Sequence, residues 1–241
     1  MTVEVLTQTQ PVLEVQHLQK YFQLHLLDER IIQPLEEISF KAWAGRVFLI
    51  GGRSGLGKTT ILKCIYRTYL PRGGQIWYNS TEFGRIDLAA VSERTILKLR
   101  EHELGYCSQF LKVLPRVSAL DVAAEPLMRQ GINREEARTE AAKWLKRLGI
   151  EESRWLAYPV TFSGGEQQRL NLIRAFIAAP RLLLLDEPTA SLDAASKEIV
   201  LELISEAKAA GVTIVAVSHD LAAFTNLADD RYFLEKQVLA D

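Results

Sequence analysis

Two glycine-rich stretches and one pair of acids hold the residues best suited to chemistry. The first stretch runs Gly52-Arg53-Ser54-Gly55-Leu56-Gly57-Lys58-Thr59 and continues into Thr60. Its spacing, G-x-x-x-x-G-K-[ST], suits a polyphosphate whose oxygens must come close to several backbone N–H groups. Side chains at Gly52, Gly55 and Gly57 would obstruct that approach, and a helix starting near Lys58 would add its positive dipole end. Lys58 can reach the outer phosphates, and the Thr59 hydroxyl can ligate Mg²⁺. The acids, Asp186 and Glu187, close the run "RLLLLDEP". A buried carboxylate is costly unless it is paired or near a metal. Asp186 is therefore placed to hold Mg²⁺ through water, and Glu187 to polarise an attacking water. The plainer reading is an acidic helix cap, which two adjacent acids in a chain with Lys58 and Thr59 make the weaker one.

The second glycine-rich stretch, Ser163-Gly164-Gly165-Glu166, lies about a hundred residues later. It matches the capping box S/T-x-x-E, in which serine and glutamate satisfy each other's orphan N–H groups. Leu170, Ile173 and Ile177 follow as an apolar stripe, with Gln167, Gln168 and Arg174 facing elsewhere. Capping does not require Gly164 and Gly165, and glycine in a helix is worse than alanine by up to about 1 kcal/mol. Two in a row point to something approaching the backbone there.

The elements that must position these residues alternate between strand and helix. "LEVQHLQKYFQLHLL" and "LEEISFKAWAGRVFLIGG" read as short strands, the second ending in the first glycine stretch. "KTTILKCIYRTYLPRGG" reads as a helix with Ile61, Leu62 and Ile65 on one face, ended by Pro71 and Gly73-Gly74. "QIWYN" and "LGYCSQF" read as further strands. From Leu111 the pattern turns helical, with Ala141, Leu145 and Leu148 at helical spacing, and reads as a lobe inserted into the core. "RLLLLDEP", "AASKEIVLELISEAKAAG" and "VTIVAVSHD" then give strand, helix and strand. All-apolar strands alternating with helices imply a mainly parallel sheet.

Composition narrows the classes. At 241 residues, 48% hydrophobic and 24% charged, the chain is an ordinary globular protein of one large domain. A net charge of -1 without blocks of like charge gives no global field for nucleic acid or acidic lipid. No apolar run approaches the roughly 20 residues of a membrane span. The start "MTVEVLTQTQPV" has no signal core, and Cys64 and Cys107 lack disulfide or metal spacing. The expectation is a cytoplasmic chain with two reduced thiols.

In this order the stretches resemble the ATP-binding subunits of the ABC (ATP-binding cassette) superfamily over nearly the whole chain. The resemblance rests on "GRSGLGKTT", Gln109 in "CSQF", "FSGGEQQR" as the signature, "LLLLDEPTASLD" and His219 in "VSHD". It implies an α/β fold, a P-loop NTPase of the ABC ATPase type. That fold has a mainly parallel sheet core, an N-terminal antiparallel β subdomain and an inserted helical subdomain. The expected organisation is a flexible tail over 1–11 and one nucleotide-binding domain over 12–241, the helical subdomain spanning roughly 111–179. ATP and Mg²⁺ are the implied cofactors and Mg²⁺-dependent ATP hydrolysis the implied activity.

In the family two cassettes pack head to tail, and the signature of one closes over the γ-phosphate held by the other. By that resemblance Ser163, Gly164, Gly165 and Glu166 would serve the partner's nucleotide. Gln109 would sense the γ-phosphate and Mg²⁺, beside Thr59 and Asp186 as metal residues. His219 would contact the γ-phosphate and hold Glu187, and Ser191-Leu192-Asp193 would cross the interface. Phe22 matches the adenine-stacking aromatic, with Tyr21 as fallback; either could be strand core. "FSGGEQ" departs from the commoner LSGGQ at Phe162 and Glu166.

A narrower resemblance lies outside the shared motifs. "YLPRGGQIWYN", "CSQFLKVLPRVSALDVAAEPL" and "TFSGGEQQRLNLIRAFI" look like the PhnL-type ATPases of bacterial carbon–phosphorus lyase systems, which break down phosphonates. That implies an accessory ATPase working with lyase subunits. The alternative is an ATPase driving a membrane permease of the lipoprotein-release or macrolide-export type, peripheral to the inner membrane. The long coiled coil of structural and DNA-repair ABC proteins and the tandem cassettes of translation-factor types do not occur in the sequence.

Overall fold

The computed structural model describes residues 10–24, 30–111 and 116–235, with positions 23, 24 and 30–34 described by backbone alone. Most of the expected tail, His25 to Leu27 of the first expected strand, and 112–115 of the helical segment lie outside those residues.

Two sheets form the frame. In the first, β1 (Leu13–Leu24) pairs antiparallel with β2 (Arg30–Ala42) and with β4 (Gly73–Ser80), which pairs with β5 (Gly84–Asp87). The second holds β3 (Val47–Gly52), β6 (Leu104–Cys107), β7 (Leu182–Asp186), β8 (Thr213–Val217) and β9 (Asp230–Leu234). Its order is β6-β7-β8-β3-β9, and every pairing is parallel. Every residue of β7 and β8 is buried, as strands covered on both faces require. The expected mixture of an antiparallel sheet and a parallel core is what the chain adopts.

Among the described residues six α-helices accompany the sheets: α1 (Lys58–Ile65), α2 (Glu93–His102), α3 (Ala119–Arg129), α4 (Arg134–Arg147), α5 (Gly164–Phe176) and α6 (Ala194–Ala209). Ala141, Leu145 and Leu148 are buried in a cluster shared with α3, α5 and one face of the parallel sheet. Ile61, Leu62 and Ile65 of α1 fill a second cluster with β1, β4 and the sheet's other face.

Four expectations change. "LEEISFKAWAGRVFLIGG" is two strands, because Gly45 at φ 63° turns the chain between β2 and β3. α1 stops at Ile65 rather than near Pro71; the Tyr66 N–H still reaches Leu62 O, but Arg67 adopts φ 62° and leaves the helix. "LGYCSQF" is extended only through Cys107. Gln168 does not face away from the core: it is buried, its amide donating to Pro188 O at 3.4 Å. β5, α2 and β9 lie outside the elements expected from the sequence.

Candidate functional site

The first glycine stretch joins β3 to α1, and how α1 begins sets its chemistry. The other five helices start with a residue whose own side chain caps them: Ser92, Ser118, Asn133, Ser163 and Asp193. α1 starts at Gly57, φ 91°, with no side-chain cap and no acid in its first turn. Its leading N–H groups are left for an external anion. Arg53, Ser54 and Gly55 are exposed, Thr60 half-buried in the first turn, and Leu56 packs against the core. Lys58 is buried, its ammonium donating to Gly52 O at 2.6 Å and Arg53 O at 3.0 Å, so the loop is curled around its own cation. A Cβ at Gly52 would lie 2.6 Å from Leu234 O. Glycine there is demanded by neighbouring β9, not only by an approaching phosphate.

Asp186 ends β7 across from Thr59. The Thr59 hydroxyl donates to Asp186 Oδ1 at 2.9 Å, although 127 residues separate the two in sequence. Burial pushes the Asp186 carboxyl above its ordinary value, against the hydrogen bonds from Thr59 and Tyr106. A divalent cation beside it would offset that cost. Among the described residues no three His, Cys, Asp or Glu side chains gather into a metal cage. One hydroxyl and one carboxylate beside a phosphate loop fit Mg²⁺, which keeps waters and takes its remaining ligands from phosphate.

Glu187 follows in the left-handed region, φ 53°, with its N–H donating to Val217 O at 2.9 Å. That conformation costs a non-glycine residue on the order of 1 kcal/mol and persists where the surroundings fix it. His219, just beyond β8, supplies two contacts: its N–H lies 3.2 Å and its Nδ1 2.7 Å from Glu187 Oε2. The side chain of Glu187 is only 12% exposed, against 66% for His219. This is the geometry of a base held by an orienting partner.

Gln109 is exposed just past β6 and lines one cleft with Thr59 and Asp186. Phe22 packs edge-on against Tyr69 with ring centroids 5.3 Å apart and Lys20 Nζ 4.9 Å above its ring, whereas Tyr21 lies under Arg72.

The second stretch forms the capping box in full. Glu166 Oε2 accepts from Ser163 N at 2.8 Å and Ser163 Oγ at 2.9 Å, and these hydrogen bonds hold the Glu166 carboxyl below its ordinary value. Yet Ser163 and Gly164 are exposed, and a Cβ at Gly164 would meet nothing within 4 Å. Nothing among the described residues requires that glycine. No hydrogen bond or ion pair among the described residues joins 163–166 to 52–59, so the two cradles are separate within one chain. Asp193 caps α6 by accepting from Ser196 N at 2.8 Å, which lowers its pKa; it is exposed, as are Ser191 and Gly164.

Several supporting residues escape the sequence reading. Arg154 lies 4.9 Å over the Phe162 ring, donates to Thr161 O at 3.0 Å and sits 3.5 Å from Glu166 Oε1. It therefore touches both residues at which the signature departs from the commoner form. Asn171 on α5 donates to Ser108 O, next to Gln109, while Gln168 holds Pro188 O, next to Glu187. Such partners lie far apart in sequence and carry no local spacing signal.

An open helix start on a phosphate loop, a buried acid at the next strand end and a held glutamate define a nucleotide-hydrolysing domain of the phosphate-loop class. The family model described as "ABC transporter" matches residues 35–190. The lipoprotein-releasing system ATP-binding protein LolD of Koribacter versatilis is 37% identical over 188 residues, 78% of this chain and 82% of that protein. The L-cystine import ATP-binding protein TcyC of Bacillus subtilis is 35% identical, over 86% of this chain and 83% of its own. Among solved structures, the dimeric bacterial ABC transporter cassette MJ0796 superposes with a TM-score of 0.83 at 26% identity, covering 92% of this chain and 94% of the other. The same cassette is known as a dimer in a post-hydrolysis state bound to ADP and Pi. The chain belongs to the ABC transporter family as an ATP-binding subunit. It is an ATPase, with ATP and Mg²⁺ as cofactors.

Proposed function

We propose that this chain hydrolyses ATP as half of a head-to-tail dimer, each copy's signature closing over the γ-phosphate bound by the other. Glu187 polarises the attacking water and His219 holds Glu187 against it; Lys58 and Gln109 stabilise charge on the γ-phosphoryl during in-line attack. Thr59 and Asp186, with Gln109 alongside, would hold Mg²⁺, which would supply positive charge against the phosphates. Phe22 stacks on the adenine, and Asp193 lies at the interface. The observation that carries this reading is Gly164, open to space on an exposed signature that has no bond to its own phosphate loop. The test is Ser163→Arg. The variant is expected to bind ATP as a monomer within about twofold of wild type and to lose ATP-dependent dimerisation and turnover, each by at least roughly tenfold. A tenfold loss of monomer affinity would instead place Ser163 beside its own chain's nucleotide.

Two couplings of this engine have support. The relatives named above are a lipoprotein-release and a cystine-import subunit, and they favour an ATPase that drives a membrane permease from the cytoplasmic face. No helix among the described residues is long and apolar enough to cross a membrane. The second reading, an accessory to carbon–phosphorus lyase in phosphonate breakdown, rests on the sequence resemblance alone, and none of the relatives named above carries it. The stretches resembling those ATPases include Pro71–Asn79 and Val117–Leu127, outside the shared nucleotide motifs. Pull-down of the tagged chain from phosphate-starved cells separates the two: permease subunits support the first, lyase subunits the second.

A further inference from the structure

The two oxygens of the buried Asp186 have different neighbours. Oδ1 accepts from Thr59 Oγ at 2.9 Å, and Oδ2 from the Tyr106 hydroxyl at 3.3 Å. The last torsion of an aspartate is broad, so a carboxylate anchored through one oxygen can still turn. Donors on both oxygens fix its plane. With its proton committed to Asp186, the Thr59 hydroxyl turns its lone pairs outward, ready for a hard cation.

Tyr106 is itself braced. Its ring centroid lies 5.0 Å from that of Tyr66, with the planes 35° apart. Arg100 on α2 sits 4.5 Å over the Tyr66 ring, while its Nε and Nη2 hold Tyr66 O at 3.1 and 2.7 Å. A pillar of three side chains thus runs from α2 to the carboxylate. All of it lines one cleft of about 520 Å³, shared with Thr59 and Gln109.

We propose that Tyr106 is a positioning residue for the metal half of the site: its hydroxyl fixes the Asp186 carboxylate, which in turn fixes Thr59, so that Mg²⁺ meets a preset pair of oxygens. The proposal rests on the reading of Asp186 and Thr59 as the metal residues. It assigns Tyr106 no contact with nucleotide or metal.

Tyr106→Phe tests it, deleting the hydroxyl and keeping the ring against Tyr66. Affinity for a fluorescent ATP analogue is measured in EDTA and across a Mg²⁺ titration, beside the melting temperature of the nucleotide-free chain. Affinity in EDTA is expected to stay at the wild-type value, and the melting temperature to fall by no more than about 2–4 °C, because the deleted hydrogen bond is long at 3.3 Å. The Mg²⁺ concentration that half-restores full affinity is expected to rise about fivefold, equivalent to about 1 kcal/mol. Turnover at saturating Mg²⁺ is expected to recover to within about twofold. An unchanged Mg²⁺ midpoint overturns the proposal, as does an equal loss of affinity with and without Mg²⁺, the mark of a general packing defect. A wild-type chain whose affinity ignores Mg²⁺ overturns the metal reading itself and the proposal with it.

Discussion

Tyr78 and Glu103 join the antiparallel sheet to the edge of the catalytic one, and removing one oxygen atom measures that joint. Tyr78 is fully buried on β4, and its hydroxyl donates to Glu103 Oε2 at 2.8 Å. The other Glu103 oxygen accepts from Ser80 Oγ at 2.8 Å and Thr81 Oγ1 at 2.9 Å, and Thr81 N lies 3.2 Å from both. Burial pushes the Glu103 carboxyl up, but the hydrogen bonds from Ser80, Tyr78 and Thr81 together hold it below its ordinary value. A hydrogen bond to a charged acceptor contributes about 1.5–3 kcal/mol, so Tyr78→Phe is expected to cost about 2 kcal/mol. Glu103→Gln turns an amide NH₂ toward existing donors and is expected to cost about 3 kcal/mol, one or two of them being left unpaired. The double variant should cost about 3 rather than about 5 kcal/mol, a coupling of about 2 kcal/mol between groups in direct contact.

Thermal melts at a few degrees per kcal/mol for a chain of this size should show Tyr78→Phe lowered by about 4–8 °C. The pH dependence has a fixed sign. A carboxyl whose pKa is lower in the folded state contributes stability that is present above its unfolded pKa and is lost as pH falls through the folded one. The gap between wild type and Glu103→Gln should therefore narrow on acidification below the ordinary carboxylate range. A Tyr78→Phe chain within about 0.5 kcal/mol of wild type at neutral pH, or strictly additive single costs, would refute the reasoning.

Further perturbations bear on catalysis. Glu187→Gln should lower turnover by about 10²–10⁴-fold while an ATP-bound dimer accumulates; light scattering with ATP and Mg²⁺ checks the dimer. Lys58→Ala removes the cation that holds Gly52 O and Arg53 O together, and equilibrium titration should show ATP affinity falling by at least tenfold, about 1.4 kcal/mol. Arg154→Ala releases Thr161 O, the Phe162 ring and Glu166 together. It should leave monomer ATP affinity unchanged and raise the ATP concentration needed for dimerisation several-fold, read by analytical ultracentrifugation.

How legible each part was in the sequence follows its physics. The phosphate loop and the Asp186–Glu187 pair were legible because backbone access, a strand end and a buried charge each demand particular residue types. Roles for His219 and the signature follow only from the resemblance to the ABC family, since an exposed histidine and a capped helix start carry no such demand of their own. β7 and β8 were legible as unbroken apolar runs, since both faces are covered. α2 was not: only Ile96 and Leu99 are buried and Leu97 is exposed, so its apolar face is too narrow to show a period. β9 was missed because it is an edge strand of alternating exposure with only Leu234 buried. Gln168 was misplaced because its polarity reads as surface, whereas Pro188 O, twenty residues away, satisfies it in the interior. Tyr106 and Arg154 gain their meaning only from neighbours the folded chain brings to them.

Gly52 warns against a common shortcut. Alanine replacement along the loop would be interpreted as a map of nucleotide contacts, but at this position the new methyl collides with Leu234 O before any phosphate arrives. Because Gly52 and Leu234 are register partners in the β3–β9 ladder, the damage would travel into the last strand of the sheet. An inactive Gly52→Ala protein would thus report a broken seam at the domain's edge, and Gly55, though its surroundings leave room for a methyl, holds φ 84°, so alanine there would strain the loop's backbone before it tested anion binding.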